Sequence, residues 1–291
     1  MNLVIGEISY TNILPLFYYL NRDRLQEIGF TFEPAIPSQL NQEMSEGHIH
    51  VGGISSFSYA EHADEYTLLP NLSVSSPRAV GSIFLFSHAP INQLSGKRIA
   101  LTSSSATSVH LLMIILQEFY GADAVYTTVP PDYDTMMSEY DACLLIGDDA
   151  IMAHMYKQNH SYIYDLGEEW HKWTGYPMTY AVIAVRNEIL RSYPDAMLEL
   201  TEQITKSKEI CRSDGFQSMI ASVKQTYSGS ETFWHHYFQG LNYDLSDQHL
   251  AGLLYYFELA YKYGLLQEPV RDIAVWQRPA SEHIFSLGGS E

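Results

Sequence analysis

Three hydroxyl-rich runs hold the residues best suited to chemistry: Ser9-Tyr10-Thr11-Asn12, Ser55-Ser56 and Ser103-Ser104-Ser105-Ala106-Thr107-Ser108. Each follows an expected strand and opens an expected helix. A helix start offers free backbone N–H groups and a partial positive charge, which together seat a carboxylate or a phosphate. Hydroxyls and the Asn12 amide add neutral donors at the same point. A plain N-cap is the competing reading for any one run, because Ser, Thr and Asn dominate that position. A cap uses one side-chain oxygen, however, and the third run carries five hydroxyls in six residues.

Two further stretches resemble these in kind. Ser73-Val74-Ser75-Ser76-Pro77-Arg78-Ala79-Val80-Gly81-Ser82 joins four serines to an arginine and reads as a loop broken by Pro77. Gly147-Asp148-Asp149 follows an apolar strand, and Asp148 also suits the cap of a helix from Ala150. The run from Asp165 to Ala181 holds Trp170, Trp173, Gly167, Gly175, Pro177 and Met178. Two Trp in so short a connection suggest a cover for a ligand cleft or a wedge between lobes.

Other chemistries lack a carrier. The sequence has no Gly-rich phosphate loop, no HExxH, no Cys/His set with zinc spacing and no GxSxG elbow. His48 with His50, and His235 with His236, read as surface pairs. No metal site is expected. The formal charge of −18 argues against nucleic acid and anionic membranes, which need a basic face. It does not exclude a small anion, because local donors outweigh a distant surface field. Cys143 and Cys211 belong to no CxxC pair and read as reduced, buried thiols. No basic n-region, long apolar core or lipobox-like Cys opens the chain, so a cytoplasmic location is expected. No run of 18 apolar residues offers a membrane span.

The elements that must position these runs alternate between strand and helix, with 46% hydrophobic residues to fill two cores. Strands are expected at Leu3–Ile8, Phe30–Ile36, His48–Ile54, Gly81–Ser87, Lys97–Thr102, Asp141–Ile146 and Thr179–Arg186. Helices are expected at Ile13–Asn21, from Ser38 to near Gly47, and at Val109–Tyr120, Pro194–Cys211, Gly215–Tyr227 and Leu245–Tyr263. The block from 90 to 180 has its own strand–helix–strand core, entered near Ser82 and left near Val182. The pattern predicts an α/β clamshell with mixed sheets and a hinge of two crossing strands. Residues 1–88 plus 184–291 would form one lobe and 89–183 the other. Such folds bind ligands where strand ends and helix starts meet.

Ser9-Tyr10-Thr11-Asn12-Ile13-Leu14-Pro15-Leu16 resembles the SYxNxxPL signature of the chorismate dehydratases of the futalosine route to menaquinone. Ser75–Ser82, Thr102–Leu112 and Ile146–Ala150 resemble further blocks of that family. The Trp-Thr-Gly-Tyr-Pro-Met core within Asp165–Val185 is the most specific. Tyr237-Phe238 and Tyr263-Gly264-Leu265 resemble its last helices, so the likeness runs along nearly the whole chain.

The resemblance implies a type 2 periplasmic-binding-protein fold used as an enzyme. It implies dehydration of chorismate to 3-[(1-carboxyvinyl)oxy]benzoate with no metal and no organic cofactor. Asn12 would be catalytic, together with Ser82, for which Ser76 is the rival. The expected substrate-binding set is Ser9, Tyr10, Ser55, Ser56, Ser76, Arg78, Ser103, Ser104, Ser105, Thr107, Ser108, Gly147, Asp148, Trp173 and Met178.

Chorismate carries two carboxylates, and hydrogen bonds to charged groups are worth roughly 1.5–3 kcal/mol each. Four such bonds, less the cost of association, reach about 8 kcal/mol, that of a micromolar ligand. The reaction removes a proton from the ether-bearing ring carbon and hydroxide from its neighbour. Donors on the ring carboxylate would stabilise an enolate-like state. No protein base stands out, so the substrate's enolpyruvyl carboxylate is the expected proton acceptor.

Three alternatives are weighed. A dihydroxynaphthoate synthase-type enzyme of the same pathway would place a His in the cleft, and only His110 is a candidate. A non-catalytic solute-binding protein would carry an export signal. A ligand sensor would need an attached signalling domain.

Overall fold

A computed structural model describes residues 2–277. Its strands are β1 (Leu3–Ile8), β2 (Phe30–Ala35), β3 (Val51–Ser55), β4 (Tyr66–Ser76), β5 (Ile83–Ser87), β6 (Arg98–Thr102), β7 (Val125–Val129), β8 (Ala142–Ile146), β9 (Tyr162–Asp165) and β10 (Met178–Arg186). They form two five-stranded sheets, ordered β2-β1-β3-β10-β4 and β7-β6-β8-β5-β9. In the first, β1 runs parallel to β2 and β3, and β10 lies antiparallel to β3 and β4. The second repeats the plan, with β6 parallel to β7 and β8, and β5 antiparallel to β8 and β9. Every residue of β3, β5 and β8 is buried, as expected of apolar strands covered on both faces.

Two short crossings connect the sheets. Residues 77–82 lead from β4 to β5, and residues 175–177 lead from the helix Leu166–Thr174 to β10. They lie side by side, since Met178 pairs with Ser76. Asp165 ties them together. Its carboxylate accepts the N–H of Val80 at 3.0 Å and of Gly81 at 2.7 Å. It also caps the helix Leu166–Thr174 through the N–H groups of Gly167 and Glu168.

The chain therefore changes sheet earlier than the expected boundaries at 88/89 and 183/184. β5 pairs with β8 and β9, and all of β10 pairs with β3 and β4. Apolar strands on both sides of each crossing leave no compositional step to read. The Trp-bearing run is also not a loop. It is the helix Leu166–Thr174, closed by Gly175 in the left-handed region. The first four serine-run residues, Ser73–Ser76, end the long strand β4. The helix expected at Ile13–Asn21 is a 3-10 turn, Thr11–Ile13, and one α turn, Leu14–Phe17; Asn21 caps the next helix, Arg22–Ile28.

The late helices, Pro194–Ser213, Gln217–Thr226, Glu231–Gly240 and Asp247–Lys262, follow the first sheet in sequence. The last of them also touches the second lobe, where the Tyr256 hydroxyl donates to Thr107 O at 3.0 Å and Lys262 Nζ pairs with Glu118. Beyond it the chain returns to the outer edge of β4. Leu68 N donates to Ala274 O and Trp276 N to Leu68 O, both at 2.8 Å.

Candidate active site

The topology brings the carboxyl ends of β1, β3, β6 and β8 together. These ends carry the runs from Ser9, Ser55, Ser103 and Gly147. Between them lies a cavity of about 40 Å³ lined by Tyr10, Asn12, Ser55, Ser105, Ser108 and Gly147. Ile8, Pro37, Ile83, Ile146, Tyr180 and Ala181 complete its wall. Cavities that enclose organic ligands hold several hundred Å³, so the lobes must part or side chains turn before a ring can enter. Of several larger depressions, two of about 570 Å³ each lie at the surface around residues 268–274, one beside the helix Asp247–Lys262 and one beside residues 60–65. These two hold none of the candidate residues.

Asn12 Oδ1 is buried and has no protein partner. A buried amide oxygen left unpaired is costly, and a site that awaits a ligand is one reason to keep it so. Tyr10 stands against Gly147, which adopts φ +58° at the start of the helix Gly147–Tyr156. A Cβ at Gly147 would sit 2.9 Å from the Tyr10 ring. Glycine is thus required here both for its backbone angle and for the ring's approach. Burial pushes the Tyr10 hydroxyl above its usual pKa, and the neighbouring Ser104 hydroxyl opposes that shift.

Ser55 caps the helix Ser56–Glu61 by accepting the Ser58 N–H at 3.1 Å. It is also gripped by Asn41, whose Nδ2 donates to Ser55 Oγ and whose Oδ1 accepts the Ser55 N–H, both at 3.0 Å. Across the cleft, Ser105 Oγ accepts the Ser108 N–H at 3.1 Å before the helix Thr107–Ile114.

Other expected residues lie elsewhere. Ser9 and Ser103 are exposed, and their N–H groups serve the strand ends at Ala35 O and Val129 O. Ser56 donates to Thr179 O at 2.6 Å, and Thr107 Oγ1 donates to Tyr180 O and accepts the Phe57 N–H. Both are buried ties between elements. Ser104 is buried, with its N–H on Thr102 Oγ1. Ser76 Oγ donates to Arg78 O at 2.8 Å and meets the Tyr180 hydroxyl at 3.0 Å. Arg78 is exposed and pairs with Glu168 at 3.1 Å. Met178 is buried at the start of β10 and lines no part of the cavity.

Ser82 lies just behind the wall. Its carbonyl accepts the Gly147 N–H at 2.7 Å, and its Oγ is buried without a partner. The Tyr237 hydroxyl, likewise unpaired, lies near it. Trp173 does not cover the cavity. It is 47% exposed and stacks on Phe119 at 5.6 Å, while Trp170 is fully buried against Tyr255 and Tyr256. Both Trp thus fasten the helix to its neighbours.

Asp148 is buried but does not line the cavity. It takes two hydrogen bonds from Thr11, and burial raises its carboxyl above the usual range against the lowering effect of Thr11 and Tyr227. His110 stacks on Phe57 at 3.6 Å outside the lining, and burial lowers it to about 4. His50 Nδ1 accepts the Val4 N–H at 3.0 Å, and His48 pairs with Glu43 at 2.8 Å. Among the described residues, Glu43, Glu46 and His48 are the trio with ligand atoms close enough for a metal, at the surface and away from the cavity lining.

Thr11, Asn41, Pro37 and Tyr180 belong to the site or its support and were not in the expected set. Asn41 and Pro37 come from the helix Pro37–Ser45, where Asn41 is one polar residue among six and nothing local sets it apart. Thr11 sits inside a recognised run, and only its distant partner reveals its use.

Two α/β lobes meeting at strand ends define the periplasmic-binding-protein class of fold. The alkanesulfonate-binding protein SsuA of Xanthomonas axonopodis pv. citri superposes with a TM-score of 0.70 at 16% identity, over 94% of this chain and 98% of that one. A profile of the menaquinone biosynthesis family matches residues 3–262, and the chain belongs to that family. A chorismate dehydratase of Thermus thermophilus is 35% identical over 199 residues, 64% of this chain and 70% of its own. A 1,4-dihydroxy-6-naphtoate synthase of the same organism is 26% identical over 176 residues, 60% of this chain and 62% of its own.

Proposed function

We propose that this protein dehydrates chorismate to 3-[(1-carboxyvinyl)oxy]benzoate in menaquinone biosynthesis, in the cytoplasm and without metal or organic cofactor. The observation that carries this reading is the meeting of Asn12, Ser55, Ser105, Ser108 and Gly147 around one cavity between the lobes. Neutral donors at strand ends suit a dianion, and the higher identity to a chorismate dehydratase than to a naphtoate synthase favours that substrate. An amide has both an acceptor and donors, so Asn12 can hold the ring hydroxyl through Oδ1 and steady developing charge through Nδ2.

The proton acceptor in this scheme is the substrate's own enolpyruvyl carboxylate. Two facts support it. Asp148 has its carboxylate engaged by Thr11, and His110, lowered to about 4 by burial, is a weak base that lies outside the lining. As aromaticity forms, the proton leaves the ether-bearing carbon and hydroxide leaves its neighbour. Incubating the purified protein with chorismate and following mass tests the reading. A product lighter by one water is expected. Unchanged chorismate with measurable binding would instead mark a non-catalytic binder, and turnover of a futalosine-derived substrate alone would mark the naphthoate branch.

A further inference from the structure

The turn that carries Asn12 is held from across the cleft. Thr11 leaves the end of β1 in the first sheet, and Asp148 follows β8 in the second. Thr11 Oγ1 donates to Asp148 Oδ1 at 2.6 Å, and Thr11 N donates to Asp148 Oδ2 at 3.3 Å. One carboxylate therefore takes both donors of one residue, 137 positions away in sequence. Both side chains are buried. Helix capping does not account for this arrangement. The helix begins at Gly147, no side chain caps it, and Asp148 already lies in its first turn. Burying a carboxylate is costly unless its oxygens are satisfied, and here Thr11, from the opposite lobe, satisfies them together with the Tyr227 hydroxyl.

We infer that Asp148 is a positioning residue: with Thr11 it forms a clasp between the lobes that aims the Asn12 amide into the closed cleft. Parting of the lobes separates Thr11 from Asp148 and frees the turn. Closure on a substrate restores the pair and presents Asn12, so that the amide is set only in the water-excluding state. Thr11 Oγ1 directs its one hydrogen to Asp148, which leaves it no hydrogen for substrate. The role rests on the proposed dehydration only in its kinetic readout.

The test compares Thr11→Val, Asp148→Asn and the double variant. Each single change is expected to lower kcat about tenfold or more while KM moves less than roughly threefold. The double variant should be no worse than the weaker single, because both remove one interaction. Thr11→Ser, which keeps the hydroxyl, should recover most of the loss. Wild-type kcat in Thr11→Val beside an impaired Asp148→Asn would overturn the clasp, since Asp148 would then act alone as a base. Losses that multiply in the double variant would overturn it too. Should Asp148→Asn fail to fold, Thr11→Val, which changes no charge, carries the test.

Hydrogen exchange reads the clasp without any reaction. The Thr11 amide is expected to be protected in the wild-type protein and to exchange about tenfold faster or more in Asp148→Ala. Unchanged exchange would overturn the clasp. If the wild-type protein leaves chorismate intact, the proposed function fails, and the exchange result still decides the clasp.

Discussion

Two serine-rich stretches of this chain read alike and do different work. In Ser103–Ser108, Ser105 and Ser108 face the cavity. In Ser73–Ser82, Ser73 donates to Asp244 O at 2.6 Å, Ser75 to Asn242 O at 3.1 Å and Ser76 to Arg78 O at 2.8 Å. The difference lies in the junction. The first stretch leaves a parallel strand and turns into a helix, where backbone N–H groups are unpaired and side chains point at the opposite lobe. The second ends an edge strand, and its hydroxyls satisfy carbonyls of the late helical segment and of the crossing. Of these two hydroxyl-rich stretches, the one that lines the cavity is the one where the chain turns from a parallel strand into a helix.

Variants at the two kinds of place should separate activity from stability. The largest effect belongs to Asn12→Ala, with kcat lowered about a hundredfold or more by loss of a preorganised polar group. A loss under about tenfold in product formation would remove Asn12 from the chemistry. Gly147→Ala comes next. The added methyl must push the Tyr10 ring from 2.9 Å, and the backbone must hold a left-handed angle. A destabilisation of about 1–3 kcal/mol in denaturant unfolding, with weaker turnover, is expected.

Ser76→Ala sharpens the contrast from the other side. It strips a partner from the buried Tyr180 hydroxyl and should cost about 1–3 kcal/mol of stability, with kcat nearly unchanged. Ser105→Ala should do the reverse, raising KM about threefold to tenfold with little change in unfolding midpoint. Equal behaviour of the two variants would erase the distinction between the stretches.

The smallest effect is a pH dependence. Burial is the largest cause of the raised Asp148 pKa. A group raised on folding favours the folded state fully below its unfolded pKa and loses that contribution as pH climbs through the folded one. Asp148→Asn lacks this titration. Its stability relative to wild type should therefore improve from pH 3.5 toward neutrality, as urea unfolding at both ends would show. A constant gap between the two proteins would mean that Asp148 ionises as freely folded as unfolded.

Much of this architecture was legible because apolar runs of five or six residues are hard to mistake. β1, β6 and β8 fall within a residue or two of expectation, and their carboxyl ends carry the runs first singled out. β4 was missed because Pro70, Asn71 at φ +57° and three serines break its apolar character. The helix Leu166–Thr174 was hidden by its Trp pair, although Asp165 as cap and Gly175 as stop were present as signals. Of the cavity lining, Asn12, Tyr10, Ser55, Ser105, Ser108 and Gly147 were legible from their place at strand ends. Ser56, Ser76 and Thr107 meet backbone carbonyls outside the lining, because a hydroxyl's direction depends on which carbonyl tertiary packing puts beside it. No local pattern joins Thr11 to Asp148 or Asn41 to Ser55.

The segment that follows the last helix has a protective consequence. Bonds from Ala274 and Trp276 to Leu68, with a further bridge between Asn242 and Ser75, occupy the open side of β4. An uncovered strand of that length is a template for pairing with another chain. A version ending at Lys262 would keep all ten strands and every cavity residue, yet it would expose that template. Its expected fate is loss to self-association at concentrations where the longer protein stays dispersed.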